Sequence, residues 1–178
     1  MARFLVTIGH RWPTFLALGL ATLTLWDLDD GVEFAFLILL SAVGYLVITV
    51  IDRPGAVWVG LLIMIAAVVL LRVLGVSEWV ALIGTAVVFG VVGLIGGQLR
   101  RPGLYAVQPL AVLIFGAIAG TAVAVSPDLG RYLVAAGLIG HTVWDAVHWR
   151  ANQIVTRPFA EWCGVLDLTL GLGILILI

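Results

Sequence analysis

The stretch "GVEFAFLILLSAVGYLVITVI", residues 31–51, decides the fold class. Its 21 residues include a single charged side chain, Glu33. A helix of that length spans about 30 Å, which is the thickness of the hydrocarbon core of a bilayer. Six further apolar runs of similar length occupy residues 12–28, 55–75, 77–98, 105–125, 131–152 and 158–178. The sequence therefore predicts an all-α, polytopic membrane bundle of seven transmembrane helices, forming one domain over residues 1–178.

The overall composition agrees with this prediction. Hydrophobic residues make up 63% of the chain and charged residues 11%, and the mean hydropathy is +1.22. These values exclude a water-soluble globular domain. The net charge of −1 gives no sign of a nucleic-acid partner, so the expected partner is membrane lipid. All nine basic residues are arginine, and without lysine the chain cannot form a Schiff base with a carbonyl compound.

The distribution of arginine predicts the orientation of the bundle. Cytoplasmic segments of a membrane protein are enriched in basic residues. Successive connections between the helices lie on alternate sides of the membrane. One side has only Arg131, with Arg72 near the end of its helix on that side. The other seven arginines lie on the opposite side: Arg3, Arg11, Arg53, Arg100, Arg101, Arg150 and Arg157. We expect a cytoplasmic N-terminus and an external C-terminus in a bacterial cytoplasmic membrane. Gln98 and Gln108, which flank the basic loop, are predicted to be interfacial.

Glycines in the fourth and fifth runs predict close helix packing. They are Gly84, Gly90, Gly93, Gly96 and Gly97 in the fourth run and Gly116 and Gly120 in the fifth. Small residues four apart let two helix backbones approach each other. We expect them to pack within one bundle, and they leave open the alternative of an oligomer formed through these two helices.

The sixth run contains "HTVWDAVHWR", residues 141–150, which places ionisable side chains in an apolar segment. At about 100° per residue, His141, Asp145, His148 and Asn152 share one stripe of a helix. Facing lipid, that stripe would cost several kcal/mol. The stripe is therefore predicted to face the interior of the bundle.

The seventh run offers a second set of polar residues. Cys163 and Asp167 are four apart and share a face, and the short connection at 156–158 predicts antiparallel neighbours. At about 1.5 Å per residue, Asp167 falls near the depth of His141, and Asp145 and Cys163 fall somewhat closer to the cytoplasm. We expect one polar patch running from the middle of the membrane towards the cytoplasmic face.

Four kinds of chemistry suit these residues. His141, His148 and Asp167 could bind zinc or another divalent first-row metal, with Asp145 as a further ligand or as the acceptor that orients an imidazole. Histidine and aspartate in series could also relay protons. Cys163 could act as a nucleophile with a histidine as its base. Alternatively, the same side chains could form only hydrogen bonds between helices.

The histidine and aspartate stretch resembles the seven-helix intramembrane zinc hydrolase superfamily, which includes alkaline ceramidases and adiponectin-type receptors. The resemblance is one of architecture and implies a zinc ion held by histidines and a hydrolase activity on lipid. The last core helix of that superfamily carries an H-x3-H pair, whereas the last run here has Cys163 and Asp167, and both His141 and His148 lie in the sixth run. The chain is also similar to small bacterial integral membrane proteins with a "WD..H" helix, a likeness that implies no function.

Three hypotheses of function follow. The leading hypothesis is a metal-dependent lipid hydrolase, in which the metal polarises a carbonyl or activates water and Asp145 or Cys163 takes part in catalysis. The second is a proton-coupled carrier or a metal-ion transporter that uses the same residues. The third is an accessory subunit of a membrane complex.

Overall fold

The computed structural model describes residues 11–177, so Arg3 and Ile178 lie outside the described residues. The seven α-helices are α1 (Trp12–Leu25), α2 (Ala35–Ile51), α3 (Val57–Val73), α4 (Glu78–Ile95), α5 (Leu104–Ala124), α6 (Pro127–Ala151) and α7 (Arg157–Leu177). Short 3-10 helices precede three of them, at Val32–Phe34, Pro54–Ala56 and Gln98–Arg100. Residues 11–177 contain no β-strand. An all-α chain with seven helices is thus confirmed over this range.

Five of the helical segments are long and apolar enough to cross a membrane. They are Val32–Ile51, Pro54–Val73, Glu78–Ile95, Leu104–Ala124 and Arg157–Leu177. Of the other two helices, α1 is apolar but has 14 residues, and α6 has 25 residues and carries the polar stripe. Length and composition therefore support a protein of the membrane.

The observed helix boundaries differ from the predicted ones by up to four residues. Helix α6 begins at Pro127 rather than at 131, because Ser126 has an extended backbone and proline suits the first helical turn. Helix α1 ends at Leu25 rather than at 28. Helix α2 ends at Ile51, as predicted, and the next residue, Asp52, adopts the left-handed conformation at φ 57° and donates its backbone N–H to the carbonyl of Ile48.

Helices α6 and α7 form the most extensive pair, and they run antiparallel as predicted. Near one end of the pair Asp145 lies against Gly164, and further along Ala135 lies against Gly171. Helix α2 runs through the core beside α5 and α6, and α1 lies along α7. Helices α3 and α4 are largely exposed, and their outer faces carry many large apolar side chains.

The glycines of the bundle differ in how closely other helices approach them. One close approach is at Gly130 of α6, where an added Cβ would lie 2.5 Å from the carbonyl oxygen of Ala122 in α5. By contrast, Gly84 and Gly90 of α4 and Gly120 of α5 have open space within 4 Å of the Cβ position. An apolar groove separates α4 from α5. At Gly93 of α4, however, an added Cβ would lie 2.6 Å from Val50 of α2, and at Gly116 of α5 it would lie 3.4 Å from Leu39 of α2. These two glycines pack within the bundle, as expected, and their neighbour is α2.

Candidate functional site

The polar stripe of α6 faces the interior of the bundle, as its helical spacing predicts. His141 and His148 are fully buried and Asp145 is 1% exposed. The stripe does not extend to Asn152, which was predicted to belong to it. Asn152 ends the helix in the left-handed conformation at φ 50° and is exposed. Three successive polar residues, about one helical turn apart, thus lie in the core of the bundle.

Helix α7 completes a compact group around one imidazole. The Nδ1 of His141 lies 2.8 Å from Oδ2 of Asp167 and 3.3 Å from Oδ2 of Asp145. A carboxylate only accepts hydrogen bonds, so Nδ1–H of His141 donates to Asp167. The prediction that Asp167 lies at the depth of His141 is confirmed. We call His141, Asp145 and Asp167 the histidine–carboxylate group.

Helix α2 supplies a further residue, Tyr45, which the sequence analysis missed. Its hydroxyl donates a hydrogen bond to Oδ1 of Asp145, and its side chain is 2% exposed. The Tyr45 ring also packs edge-on against both imidazoles, with centroid distances of 5.6 Å to His141 and 4.7 Å to His148. Tyr45 therefore holds Oδ1 of the Asp145 carboxylate, while Oδ2 of the same group lies near His141.

The close approach of α6 and α7 depends on Gly164. A Cβ at this position would lie 3.2 Å from the Cβ of Asp145, closer than an ordinary van der Waals contact. The hydroxyl of Thr142 donates to the carbonyl of Leu138 in its own helix and also contacts the carbonyl of Gly164 at 3.2 Å. The small residue and this bridging hydroxyl hold Asp145 and Asp167 beside the same imidazole.

His148 lies outside the histidine–carboxylate group, although it was predicted to be a ligand alongside His141. Its Nδ1–H donates to the carbonyl of Trp144 at 2.9 Å, which leaves Nε2 to accept the Gln108 amide at 3.0 Å. Both ring nitrogens are therefore engaged in a neutral imidazole. Its role as a metal ligand stays a prediction that this geometry does not favour.

Gln108 also lies in a different place from the one that the sequence predicted. It was predicted to be interfacial, but it is fully buried in α5, where it bonds to His148. Its position four residues into α5 suggested the helix end. The buried imidazole accounts for its true location, because a buried amide requires a polar partner.

Cys163 lies beside the group in a small apolar pocket between α2, α3 and α7. The pocket has a volume of about 50 Å³, and its lining includes Tyr45, Cys163 and Asp167. Cys163 is itself 5% exposed. The remaining lining is mostly apolar and includes Leu37, Leu40, Leu61, Met64 and Leu166. Asp167 thus faces both His141 and the space in which an apolar molecule could lie.

Two polar atoms of the histidine–carboxylate group have no hydrogen-bond partner within residues 11–177. They are Nε2 of His141 and Oδ2 of Asp145. The latter is close to Nδ1 of His141, yet the single N–H of that atom already points to Asp167. Buried polar atoms are nearly always satisfied, so such atoms commonly mark a bound ion, a water or a catalytic role.

The group is suited to a divalent cation. One nitrogen and two carboxylate oxygens, one ligand atom per residue, lie within 4.8 Å of one another, and all three residues are buried. Nδ1 of His141 would bind a metal ion only after losing the proton that it donates to Asp167, because a metal requires the lone pair of the nitrogen. With both carboxylates ionised, even a protonated imidazole leaves the group negative, and a divalent cation offsets that charge. The group could therefore hold a metal ion.

Comparisons of the chain with protein-family models, with curated proteins and with solved structures found no match.

Proposed function

We propose that this protein is an intramembrane metal-dependent hydrolase that acts on lipid. The observation that carries the proposal is the position of Asp167, which binds Nδ1 of His141 and also lines the apolar pocket. A site that binds a metal on one side and admits an apolar chain on the other suits a lipid substrate. The two features meet at a single carboxylate.

We further propose that all seven helices cross a bacterial cytoplasmic membrane with the N-terminus inside. Ion pairs support a common basic face. Arg101 binds Asp52 at 2.8 Å, which joins the α4–α5 loop to the α2–α3 turn. Arg11, at the start of α1, binds Glu161 near the start of α7 at 3.1 Å. These two pairs support a common side for the arginine-rich connections and the start of α1, and we assign that side to the cytoplasm by the positive-inside rule.

Each residue of the site has a distinct role in this proposal. His141, Asp145 and Asp167 hold the cation, and Tyr45 orients Asp145 through its hydroxyl. When bound, a metal ion can polarise a substrate carbonyl and lower the pKa of a bound water. Cys163, on the wall of the pocket, contacts the bound chain.

Metal content tests the proposal most directly. Purified protein is expected to retain about one equivalent of zinc or another first-row metal after dialysis. The double variant Asp145→Asn/Asp167→Asn keeps the shape of both side chains but loses their charge, so we expect its metal content to fall about tenfold or more. Elemental analysis by mass spectrometry measures both.

His148→Gln is the matched control, because it changes a buried histidine of the same helix outside the group. It is expected to retain the metal. Wild-type protein without stoichiometric metal, under conditions that supply zinc and manganese, would contradict the proposal. Loss of metal in His148→Gln alone would restore this residue as a ligand.

A proton-coupled carrier is the second candidate, and one observation favours it. Tyr45, Asp145, His141 and Asp167 form a continuous buried chain of groups that can exchange protons. If the chain relays protons, uptake of a cation into proteoliposomes follows an imposed pH gradient and stops in Asp145→Asn. Uptake that persists without the gradient, or in that variant, excludes this candidate.

A further inference from the structure

A second cavity, an open groove, lies on the surface of the bundle between α1, α2, α3 and α7. Its volume is about 360 Å³. Its lining includes two charged residues, Glu33 and Arg72, and neither of them lines the pocket beside Asp167. Within residues 11–177, Asp167 and Tyr45 are in turn absent from the lining of the groove. The groove is therefore a site separate from the histidine–carboxylate group, although the two cavities share apolar wall residues such as Leu61.

The two charged residues lie at the same end of the groove. Glu33 is in the 3-10 helix that leads into α2, and Arg72 is one residue before the end of α3. The Cζ atom of Arg72 lies 5.6 Å from the ring centroid of Phe36, which is three residues after Glu33 in the same wall. Both side chains are thus at helix ends, where the headgroups of a bilayer meet a spanning protein. Apolar side chains line most of the rest of the groove, among them Leu20, Leu37, Leu40, Ile65, Leu166 and Leu170.

The guanidinium of Arg72 is held in place and still has donors to offer. Its Nε and Nη2 both face Oε1 of Glu78, at 3.0 Å and 2.9 Å, and its flat face lies over the Phe36 ring. A guanidinium carries five N–H donors in a fixed fork that matches the oxygens of a phosphate. The side chain is 59% exposed, so the remaining donors are accessible to an anionic ligand.

Glu33 is exposed at the same rim and forms no ion pair within residues 11–177. The preceding acid, Asp30, is tied to the backbone, because its Oδ1 accepts the N–H of Val32 at 2.9 Å. A carboxylate accepts hydrogen bonds, and a primary ammonium group has three N–H donors. A cationic amine therefore complements Glu33, as a phosphate complements Arg72.

We propose that the groove binds the headgroup of phosphatidylethanolamine, with its ammonium group at Glu33 and its phosphate at Arg72. The apolar walls below the rim contact the hydrocarbon that follows the headgroup. Phosphatidylcholine has no N–H on its amine, and phosphatidylglycerol has no cationic group, so each of them lacks one of the two interactions. An acid and a base side by side thus favour a zwitterion that can donate hydrogen bonds.

Native mass spectrometry of the full chain in detergent tests this inference. The protein is titrated separately with the dioleoyl forms of phosphatidylethanolamine, phosphatidylcholine and phosphatidylglycerol, which differ only in the headgroup. We expect the first phosphatidylethanolamine to bind about fivefold more tightly than either other lipid, because one charged pair at an exposed rim makes a modest contribution. The dissociation constants follow from the fractions of protein with and without bound lipid.

Substitutions of the charged residues locate the preference. Glu33→Gln and Arg72→Gln should each reduce the preference for phosphatidylethanolamine about fivefold. Asp29→Asn is the matched control for the acid, since Asp29 is exposed in the same connection and outside the lining. Glu78→Gln is the control for the arginine, because it breaks the same ion pair but keeps the guanidinium. Both controls should retain the preference.

Two substitutions in α3 test the apolar wall. Ile65→Trp obstructs the groove and is expected to weaken binding of phosphatidylethanolamine about fivefold. Ile63→Trp is its control, at a position that is 63% exposed and outside the lining, and it should bind like the wild type. The charge substitutions are at exposed positions, so the inference does not depend on the folding of a tryptophan variant.

Three results would overturn the inference: equal binding of the three lipids, a preference that survives in both Glu33→Gln and Arg72→Gln, or an equal loss in Asp29→Asn. Dimers that form without lipid and dissociate in Ile65→Trp would assign the groove to a second copy of the chain instead. The result is independent of the proposed hydrolase, because Glu33→Gln should have the same metal content as the wild type.

Discussion

We expect Asp167→Asn to abolish lipid hydrolysis while leaving the protein folded. The asparagine oxygen can still accept the hydrogen bond from Nδ1 of His141, which spans 2.8 Å in the native protein. It brings no negative charge, however, and is a poor ligand for a divalent cation. Without the metal, the transition state of hydrolysis loses several kcal/mol of stabilisation, which lowers the rate of hydrolysis about a thousandfold. The measurement is release of myristate from monomyristin in proteoliposomes.

Controls separate loss of the site from loss of structure. His148→Gln should retain most of the wild-type rate, because His148 bonds to Gln108 and to the Trp144 carbonyl rather than to the carboxylates. Asp128→Asn removes an exposed carboxylate at the start of α6 and should have no effect. A chelator should inhibit the wild type and zinc should restore it. Hydrolysis by Asp167→Asn at the wild-type rate would be incompatible with the proposed mechanism.

Much of the helical architecture was accessible from the sequence, because burial in a membrane imposes strong local rules. Uninterrupted apolar runs and their Gly, Pro and charged breaks predicted seven helices. The stripe at His141, Asp145 and His148 follows from helical periodicity alone, and a polar stripe must avoid lipid. The short connection before α7 then placed Asp167 beside the same stripe. Each step used spacing within one helix or between consecutive helices.

Contacts between distant helices were not accessible in this way. Tyr45 and Asp145 are 100 positions apart, and Gln108 and His148 are 40 apart. A signal for Tyr45 did exist. Ser41, Tyr45 and Thr49 are four residues apart in the otherwise apolar α2, so they form a second polar stripe. For Gln108, no spacing within α5 distinguishes a buried amide from an interfacial one.

The glycine pattern shows a further limit of local rules. Small residues four apart permit close packing but do not select a partner. Gly84 and Gly90 of α4 lie beside open space, whereas Gly93 of the same helix packs against Val50 of α2. Gly164, which belongs to no such pair in the prediction, makes the approach on which the site depends. Which glycine is used depends on the helix that faces it, and that is a property of the assembled bundle.

We expect His141→Leu to destabilise the protein by about 3–5 kcal/mol in metal-free buffer, because it removes one partner from a buried charged group. The substitution deletes the imidazole N–H that faces Oδ2 of both Asp145 and Asp167. Two neighbouring carboxylates then remain in the core without a donor between them. The free energy of unfolding, measured by reversible denaturation in detergent, reports the loss.

Adding Asp145→Asn and Asp167→Asn to the His141→Leu variant should restore most of the lost free energy of unfolding. Neutral amides remove the repulsion between the two acids, and the amide introduced by Asp145→Asn could still accept the hydrogen bond from the Tyr45 hydroxyl. For comparison, His148→Leu takes a hydrogen bond from two neutral groups, the amide of Gln108 and the carbonyl of Trp144, and should lower the free energy of unfolding by about 1–3 kcal/mol. The charges of the two carboxylates do not determine the stability of the protein if His141→Leu lowers the free energy of unfolding no more than His148→Leu does. The same conclusion holds if the two asparagine substitutions restore none of the lost free energy. If the triple variant regains stability but does not bind metal, the two carboxylates serve metal binding, because a core with neutral side chains at these positions is equally stable.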